Sequence, residues 1–170
     1  MHIIIRQELK EDLARIKKIN DLAFEQEDEG RLVNKLRKKD QFIPDLSLVA
    51  ETEETVVGHI LFYPVKIIST NTSHTTLSLG PMAVLPEFRK KSIGKKLIYE
   101  GLKRAKDLGF RSVIVVGHPG YYPKFGFTNA SDWNIKVPFE VPDEVFMALE
   151  IVNGELKDKP GVIEYPAEFM

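Results

Sequence analysis

The strongest constraint on the fold is a helical segment that lies between two apolar segments. Ser92–Gly109 carries one apolar stripe at helical spacing, with a serine at its start and a glycine at its end as caps. The stripe consists of Ile93, Leu97, Ile98, Leu102, Ala105 and Leu108. The apolar run Leu79–Leu85 precedes it, and the continuous apolar stretch Ser112–Gly117 follows it. A strand, a helix and a second strand that is buried on both faces predict a right-handed parallel crossover.

The remaining patterns predict further strands and two more helices. Helical spacing favours helices over Lys10–Phe24 and about Glu29–Lys39. Strand-like runs are His2–Arg6, Leu46–Glu51, Val56–Ile68, Thr75–Val84, Trp133–Phe139 and Glu144–Val152, and His118–Phe127 predicts a turn or short helix. Proline cannot donate to a strand ladder, so Gly80-Pro81 predicts a bulge or an edge. The element order predicts an α/β (α+β) fold: a mixed, mostly antiparallel central sheet of about six to seven strands, with helices on both faces.

Composition limits the classes of function. The 170 residues suit a single domain, 1–170, and the absence of cysteine excludes disulfides, zinc–thiolate sites and cysteine nucleophiles. No apolar run reaches the roughly 18 residues that span a bilayer. The amino terminus becomes charged after five residues, which is not typical of a signal peptide, so we expect a cytoplasmic protein. The four histidines share no spacing, so we expect no metal site.

The net charge of −1 hides a strong local asymmetry. Nine of the 24 Lys and Arg residues fall within Arg89–Arg111, whereas Asp21–Gly30 has five acidic residues and no basic one. One basic patch on a near-neutral protein indicates a compact anionic ligand rather than a long nucleic acid, which usually needs a basic domain. The acidic stretch favours a cationic partner, although such stretches are usually only solvated.

The stretch "EFRKKSIGKKL", Glu87–Leu97, connects the apolar run to the helix. A helix that begins there presents unpaired N–H groups and the positive end of its dipole, which suits a pyrophosphate. Gly94 would allow a ligand to approach the backbone closely. Three interpretations follow: a phosphate-binding loop, a nucleic-acid patch, or a capped, lysine-rich surface helix.

Two motifs resemble a known family. "LGPMAVLPEFRKKSIGKKLIYEGLKRAKDLGFRSVIVV" and the later "GYYPKFGF" are similar to the Gcn5-related N-acetyltransferases (GNAT), in particular a bacterial subgroup of small acetyltransferases. The signature loop of the family is Arg/Gln-x-x-Gly-x-Gly/Ala. Arg89–Gly94 reads "RKKSIG", so Ser92 takes the place of the first glycine. Provided that its φ is negative, Ser92 keeps the backbone N–H and adds a hydroxyl donor.

The resemblance implies acetyl-CoA as co-substrate, bound by a core at about residues 79–127. It also implies that the strand Leu79–Val84 carries a bulge and splays from Ser112–Gly117, so that the gap receives the pantetheine arm. The cofactor-binding residues that it implies are Met82, Ala83, Val84, Arg89, Lys90, Lys91, Ser92, Ile93, Gly94, Lys95 and Phe125. A backbone N–H on the Val84 side would stabilise the thioester oxyanion.

The resemblance further implies a general acid in the second motif. The family places a tyrosine four residues before a Gly-Phe pair, and Tyr122 stands four residues before Gly126. A phenol with a pKa of about 10 suits the protonation of a thiolate whose conjugate acid has a pKa near 8.5. The alternative is that Tyr122 packs in the core against Tyr121, as aromatic pairs do.

The residue that would deprotonate an ammonium substrate stays open. The candidates are His118, Glu25, Glu27 and Glu29. Without cysteine a cysteinyl acetyl-enzyme is impossible, which favours direct transfer in a ternary complex.

The sequence therefore predicts an N-acetyltransferase that moves the acetyl group of acetyl-CoA to a primary amine of a small molecule or peptide. The alternative is a catalytically inactive module that binds or senses acyl-CoA, and a third interpretation treats Arg89–Arg111 as a nucleic-acid site. The expected partners are acetyl-CoA and an amine acceptor, with no nucleic acid and no membrane. A homodimer is left open.

Overall fold

The computed structural model describes residues 1–170 and contains nine strands and three α-helices. The helices are α1 Leu13–Phe24, α2 Asp28–Arg37 and α3 Ile93–Asp107. The strands are β1 Ile4–Gln7, β2 Ser47–Glu51, β3 Val56–Ile68, β4 Ser73–Val84, β5 Ser112–Val116, β6 Thr128–Asn129, β7 Ile135–Lys136, β8 Phe146–Glu150 and β9 Gly161–Glu164. The chain divides into two compact units: unit 1 is Met1–Tyr63 with Gly80–Asp107, and unit 2 is Pro64–Leu79 with Leu108–Met170.

Unit 1 holds the antiparallel strands β1, β2 and the first part of β3, in that order. The N–H of Leu85, just beyond β4, donates to the carbonyl of Val57 in β3 at 2.9 Å. The buried side chains of α3 are Ile93, Leu97, Ile98 and Ala105, which confirms four members of the predicted stripe. Leu108 lies beyond the end of α3 and is 44% exposed, so its prediction as part of the stripe was wrong.

Helices cover both faces of β3 within unit 1. A Cβ at Gly58 would contact Ile93 of α3 at 3.2 Å, whereas the Tyr63 hydroxyl donates to the carbonyl of Leu36 in α2 at 3.4 Å. Successive residues of a strand point to opposite faces, and Gly58 and Tyr63 are five positions apart, so they face opposite sides of β3. Helix α3 therefore lies on one face of β3 and α2 on the other. Gly101 of α3 allows the closest approach, since a Cβ there would overlap the ring of Phe62. The prediction of helices on both faces is confirmed.

Unit 2 holds the strand order β9–β3–β4–β5–β8–β6, and β7 pairs with β9. The β4–β5 pair is parallel, as the predicted crossover requires, and it covers Leu77 and Ser78 of β4. β5 then pairs with β8 antiparallel over all five of its residues, Ser112–Val116. The core of this unit is formed by Val65, Ile67, Ile114, Ala130, Ile135, Phe146, Ala148, Leu156 and Ile163.

The strands that the sequence failed to predict are short. β6 has two residues and β9 has four, so neither is long enough to show an alternating pattern. The predicted strand Trp133–Phe139 is reduced to Ile135–Lys136, and Gly161–Glu164 was missed. The mixed, mostly antiparallel sheet is confirmed with nine strands rather than six to seven. The organisation as one domain stays a prediction.

A buried polar network joins four elements of unit 1. The guanidinium of Arg37, at the end of α2, donates to both carboxylate oxygens of Glu8, at 2.7 and 3.0 Å. The hydroxyl of Ser47 in β2 donates to the same carboxylate and lies 3.0 Å from Nε2 of His59 in β3. His59 is fully buried and its Nδ1 has no hydrogen-bond partner. Burial, and second the nearby positive charge of Arg37, lower the pKa of His59 to about 3.

This pKa makes the stability of the fold depend on pH. An unfolded chain binds a proton at His59 near pH 6.5, but the folded protein does not bind it until about pH 3. We therefore expect the free energy of unfolding to fall as the pH is lowered below 6.5, with His59 contributing up to about 1.4 kcal/mol per pH unit. Chemical denaturation at several pH values between 7 and 4.5 measures this slope.

His59→Gln is the test variant and His74→Gln, on a partly exposed histidine, is the matched control. We expect the slope to decrease in His59→Gln and to persist in His74→Gln. Equal slopes for His59→Gln and the wild type between pH 6.5 and 5 would contradict the role of His59.

Candidate active site

The candidate phosphate loop lies between β4 and α3, in unit 1. A short 3₁₀ turn, Pro86–Phe88, follows β4, and the N–H of Phe88 donates to the carbonyl of Leu85 at 2.9 Å. The N–H of Lys96 donates to the carbonyl of Ser92 at 3.1 Å, which begins the hydrogen-bond ladder of α3. The loop is therefore fixed at both ends by backbone hydrogen bonds, and the first turn of α3 opens directly from it.

Two residues of the loop that are not glycine have a left-handed backbone. Lys90 and Ser92 both have a φ of 62°. The condition of a negative φ at Ser92 is therefore not met, and the extended backbone of an N-capping serine is absent there. Ser92 instead has the conformation that favours glycine, at a cost of about 1–2 kcal/mol. The loop keeps a glycine-like path at the position where the family motif has glycine.

The basic side chains of the loop lie in different surroundings. Nη2 of Arg89 donates to the carbonyl of Ala23, in the last turn of α1, at 3.0 Å. Nζ of Lys91 lies 6.0 Å from the ring centroid of Phe88. The family resemblance implied only a cofactor-binding role for Arg89, and the contact with α1 was missed. Nothing in the sequence indicates it, because Arg89 and Ala23 are 66 positions apart.

A groove of about 470 Å³ runs along the exposed side of α3. It is lined by Ile5, Ser92, Lys95, Lys96, Tyr99, Glu100 and Lys103. Nζ of Lys95 lies 6.0 Å from the ring centroid of Tyr99, which is within the range of cation–π contacts. Three lysines against one glutamate make this groove electropositive, and it begins at the loop residue Ser92.

The predicted pantetheine-binding residues lie at the end of β4. Ala83 is buried, whereas Met82 and Val84 are partly exposed, as expected for alternating residues of a strand. The parallel pairing of β4 with β5 stops at Ser78, before the Gly80-Pro81 step where the sequence predicted an irregularity. The gap between these strands and its role in binding stay predictions.

Tyr122, the predicted general acid, opens a 3₁₀ turn in unit 2 that ends at Gly126, which has a φ of 99°. Its ring makes edge contacts with the rings of Tyr121 at 5.2 Å and Phe127 at 5.7 Å. A Cβ at Gly117 would overlap the Tyr122 ring, so the ring lies in a notch that glycine leaves open. Tyr122 therefore makes the core contacts that the alternative interpretation describes.

Burial, and to a lesser extent the neighbouring Tyr121, raise the pKa of Tyr122 to about 12. The phenol thus keeps its proton throughout the physiological pH range, as a general acid must. Phe125 follows in the same turn, partly buried, with its ring centroid 5.2 Å from that of Tyr121.

The four candidates for the general base have different partners. In unit 2, Nδ1 of His118 accepts the N–H of Gly120 at 3.0 Å, so in the neutral imidazole the proton resides on Nε2. In unit 1, Glu25 ends α1 with a φ of 54°, and Glu27 pairs with Lys17 at 3.1 Å and with Arg31 at 2.9 Å. Both carboxylate oxygens of Glu29 accept from the Gln26 amide at 3.0 Å. These contacts do not distinguish one base from the others.

Comparison with known proteins assigns the chain to a family. The family model described as acetyltransferase (GNAT) family matches residues 11–127, which include α1, α2, the loop, α3 and Tyr122. The chain belongs to the GNAT acetyltransferase family. The resemblance drawn from the two motifs is thereby confirmed.

Individual GNAT relatives cover most of the chain. The uncharacterized N-acetyltransferase YjhQ of Escherichia coli K12 is 35% identical over 136 residues, 79% of this chain and 75% of YjhQ. The uncharacterized N-acetyltransferase YhbS of the same strain is 29% identical over 168 residues, 98% of each chain.

Solved GNAT structures share the fold. The crystal structure of E. coli YhbS in complex with CoA has a TM-score of 0.91 at 28% identity and covers 99% of this chain and 92% of its own. A GNAT family acetyltransferase from Brucella melitensis, in complex with acetyl-CoA, has a TM-score of 0.81 at 33% identity and covers 99% of each chain.

The left-handed backbone at Ser92 gives a stability prediction. Ser92→Gly should leave the free energy of unfolding unchanged or raise it by up to about 1 kcal/mol, because glycine adopts a positive φ without strain. Ser92→Val should lower it by about 1–2 kcal/mol, since a β-branched side chain is poorly tolerated there. Urea denaturation of the two variants measures both effects.

Lys91→Gly is the matched control, because Lys91 lies between the two left-handed residues and is not itself left-handed. It should lose about 0.5–1 kcal/mol, the usual entropic cost of glycine. If Ser92→Gly lowered the free energy of unfolding as much as Lys91→Gly does, the result would contradict a left-handed backbone at Ser92.

Proposed function

We propose that the protein transfers the acetyl group of acetyl-CoA to a primary amine by direct attack in a ternary complex. The observation that carries the proposal is the left-handed basic loop that opens into the first turn of α3. Membership of the GNAT family and the relatives crystallised with CoA or acetyl-CoA support it.

The loop and the start of α3 would bind the phosphates of the co-substrate. The first N–H groups of a helix have no partner within the helix and carry the positive end of its dipole. The left-handed Lys90 and Ser92 turn the chain into this helix, and the neighbouring cations add attraction for an anion. The residues proposed for this role are Arg89, Lys90, Lys91, Ser92, Ile93, Gly94 and Lys95. Met82, Ala83 and Val84 are proposed for the pantetheine arm, and Phe125 is proposed to pack against the coenzyme.

Tyr122 is proposed as the general acid of the reaction. The amine nitrogen attacks the thioester carbonyl carbon, the bond from that carbon to sulfur breaks, and the thiolate takes the phenolic proton. The raised pKa of Tyr122 keeps this proton in place before the reaction. A thiolate that leaves in equally desolvated surroundings has a raised proton affinity for the same reason, so the two groups remain matched. The ammonium substrate loses one proton before the attack, to one of the open base candidates or to water. The second proton, which the nitrogen loses as the amide forms, returns the Tyr122 phenolate to the phenol.

The acidic turn between α1 and α2 favours a cationic acceptor. Asp21 and Glu27 are compensated by Lys17, at 2.6 and 3.1 Å. No cationic partner compensates Glu25 or Asp28, which are exposed. A polyamine-like metabolite, an aminoglycoside, or a lysine or amino-terminal group of a peptide would suit this charge.

A second candidate function is acyl-CoA binding without turnover. The observation that favours it is the burial of Tyr122, which is 9% exposed and packed between aromatic rings. The same loop would serve a sensor equally well. The expectations of a cytoplasmic location, of no nucleic-acid partner and of a homodimer stay predictions. None of the helices is both long and apolar enough to cross a membrane.

Thiol release from acetyl-CoA tests the proposed reaction. The acceptors are spermidine, kanamycin, free lysine and a peptide with a free amino terminus, and acetyl-CoA binding is measured in parallel by calorimetry. We expect amine-dependent release by the wild type. Tyr122→Phe should lower kcat at least about 100-fold with little change in acetyl-CoA affinity, because the phenol acts only on the leaving group.

Tyr121→Phe is the matched control, since it removes the hydroxyl of the adjacent ring, and it should retain wild-type kcat. Tight acetyl-CoA binding without amine-dependent release would favour the sensor. Full activity of Tyr122→Phe would remove the tyrosine from the mechanism.

A further inference from the structure

Arg89 makes a long-range hydrogen bond from the candidate loop. Its Nη2 donates to the Ala23 carbonyl at 3.0 Å. The carbonyls in the last turn of a helix have no donor within the helix and form the negative end of its dipole. The guanidinium of Arg89 therefore satisfies a polar group at the end of α1 that would otherwise depend on water.

The end of α1 is joined to the acidic turn by side-chain and backbone contacts. Nζ of Lys17 in α1 bonds Asp21 at 2.6 Å and Glu27 at 3.1 Å, so it spans the connection to α2. At the start of α2, Gly30 lies so close to α1 that a Cβ would fall 2.6 Å from Oδ1 of Asp21. Two ion pairs and one close backbone contact therefore join the end of α1 to the acidic turn.

The guanidinium of Arg89 has further N–H donors besides the one that bonds Ala23. A guanidinium carries five N–H donors in a planar fork, and the Ala23 carbonyl takes one of them. The remaining donors suit phosphate oxygens, which arginine binds in a bidentate manner. One side chain can therefore hold a phosphate and the end of α1 at the same time.

We infer that Arg89 is a positioning residue that links phosphate binding at the loop to the acidic turn between α1 and α2. This inference rests on the proposed function. An anion at the loop fixes the guanidinium, and the guanidinium then holds the Ala23 carbonyl and the start of the turn more firmly. The acidic turn, which carries the base candidates Glu25 and Glu27, is thus ordered by the co-substrate before the amine binds.

Hydrogen exchange measured by mass spectrometry, with and without CoA, tests this link. In the wild type, CoA should slow exchange of the backbone amides of residues 22–28. In Arg89→Ala this protection should be lost, even at CoA concentrations that saturate the variant. Without CoA, exchange of the same amides should be faster in Arg89→Ala than in the wild type.

Lys91→Ala is the matched control, because it removes a cation from the same loop and makes no hydrogen bond to α1. It should bind CoA more weakly, yet residues 22–28 should still gain protection once it is saturated. Arg89→Lys should retain part of the affinity but little of the protection, since a single ammonium lacks the planar fork.

Calorimetry with CoA separates the possible failures. If the wild type does not bind CoA, the proposed function fails and the inference fails with it. If the wild type binds CoA but the exchange of residues 22–28 does not change, the inference alone is overturned. It is also overturned if saturated Arg89→Ala gains the same protection as the wild type.

Discussion

The hydrogen bonds to the buried carboxylate of Glu8 hold three elements of unit 1 together. The carboxylate follows β1, accepts two hydrogen bonds from Arg37 at the end of α2, and accepts a third from Ser47 in β2. Removing one partner of such a buried pair typically costs about 3–5 kcal/mol, because the other charge is left uncompensated. The positions of α2, β1 and β2 are therefore coupled through one carboxylate. Burial, and second the positive charge of Arg37, lower the pKa of His59, which explains why its imidazole stays neutral.

The backbone of the candidate loop combines two requirements that usually conflict. Lys90 and Ser92 hold the left-handed conformation that brings the chain into α3, yet both carry side chains that disfavour it. Glycine at these positions would relieve the strain but would leave the unfolded chain freer and the loop without the Lys90 charge. The loop thus keeps the Lys90 charge and the Ser92 hydroxyl at the cost of backbone strain. The backbone hydrogen bonds at its two ends must offset this strain.

Much of the fold could be predicted because its signals are local and long. The stripe of α3 and the apolar run of β5 each extend over several residues, so their period is unambiguous and their order implies the parallel pair. The strands β6 and β9 were not predictable, because two to four residues carry no period and pairing at a distance decides their conformation. The strand that contains β7 was predicted, but its short extent was not.

The candidate site was predictable in its motifs but not in its contacts. The loop and Tyr122 were found from residue spacing and family resemblance. The left-handed φ of Ser92 could not be found in this way, since serine usually avoids it. The bond from Arg89 to Ala23 depends on tertiary structure alone. A lone histidine in the apolar run of β3 was the only local sign of the buried network around Glu8.

The notch at Gly117 has a consequence for how relatives of this protein can be compared. The ring of Tyr122 occupies the space that any larger residue at position 117 would claim. A relative that has a side chain at that position must hold its tyrosine elsewhere, even if the tyrosine motif itself is intact. The residue that follows β5 is therefore a more informative marker of where a relative places its tyrosine than the tyrosine motif alone.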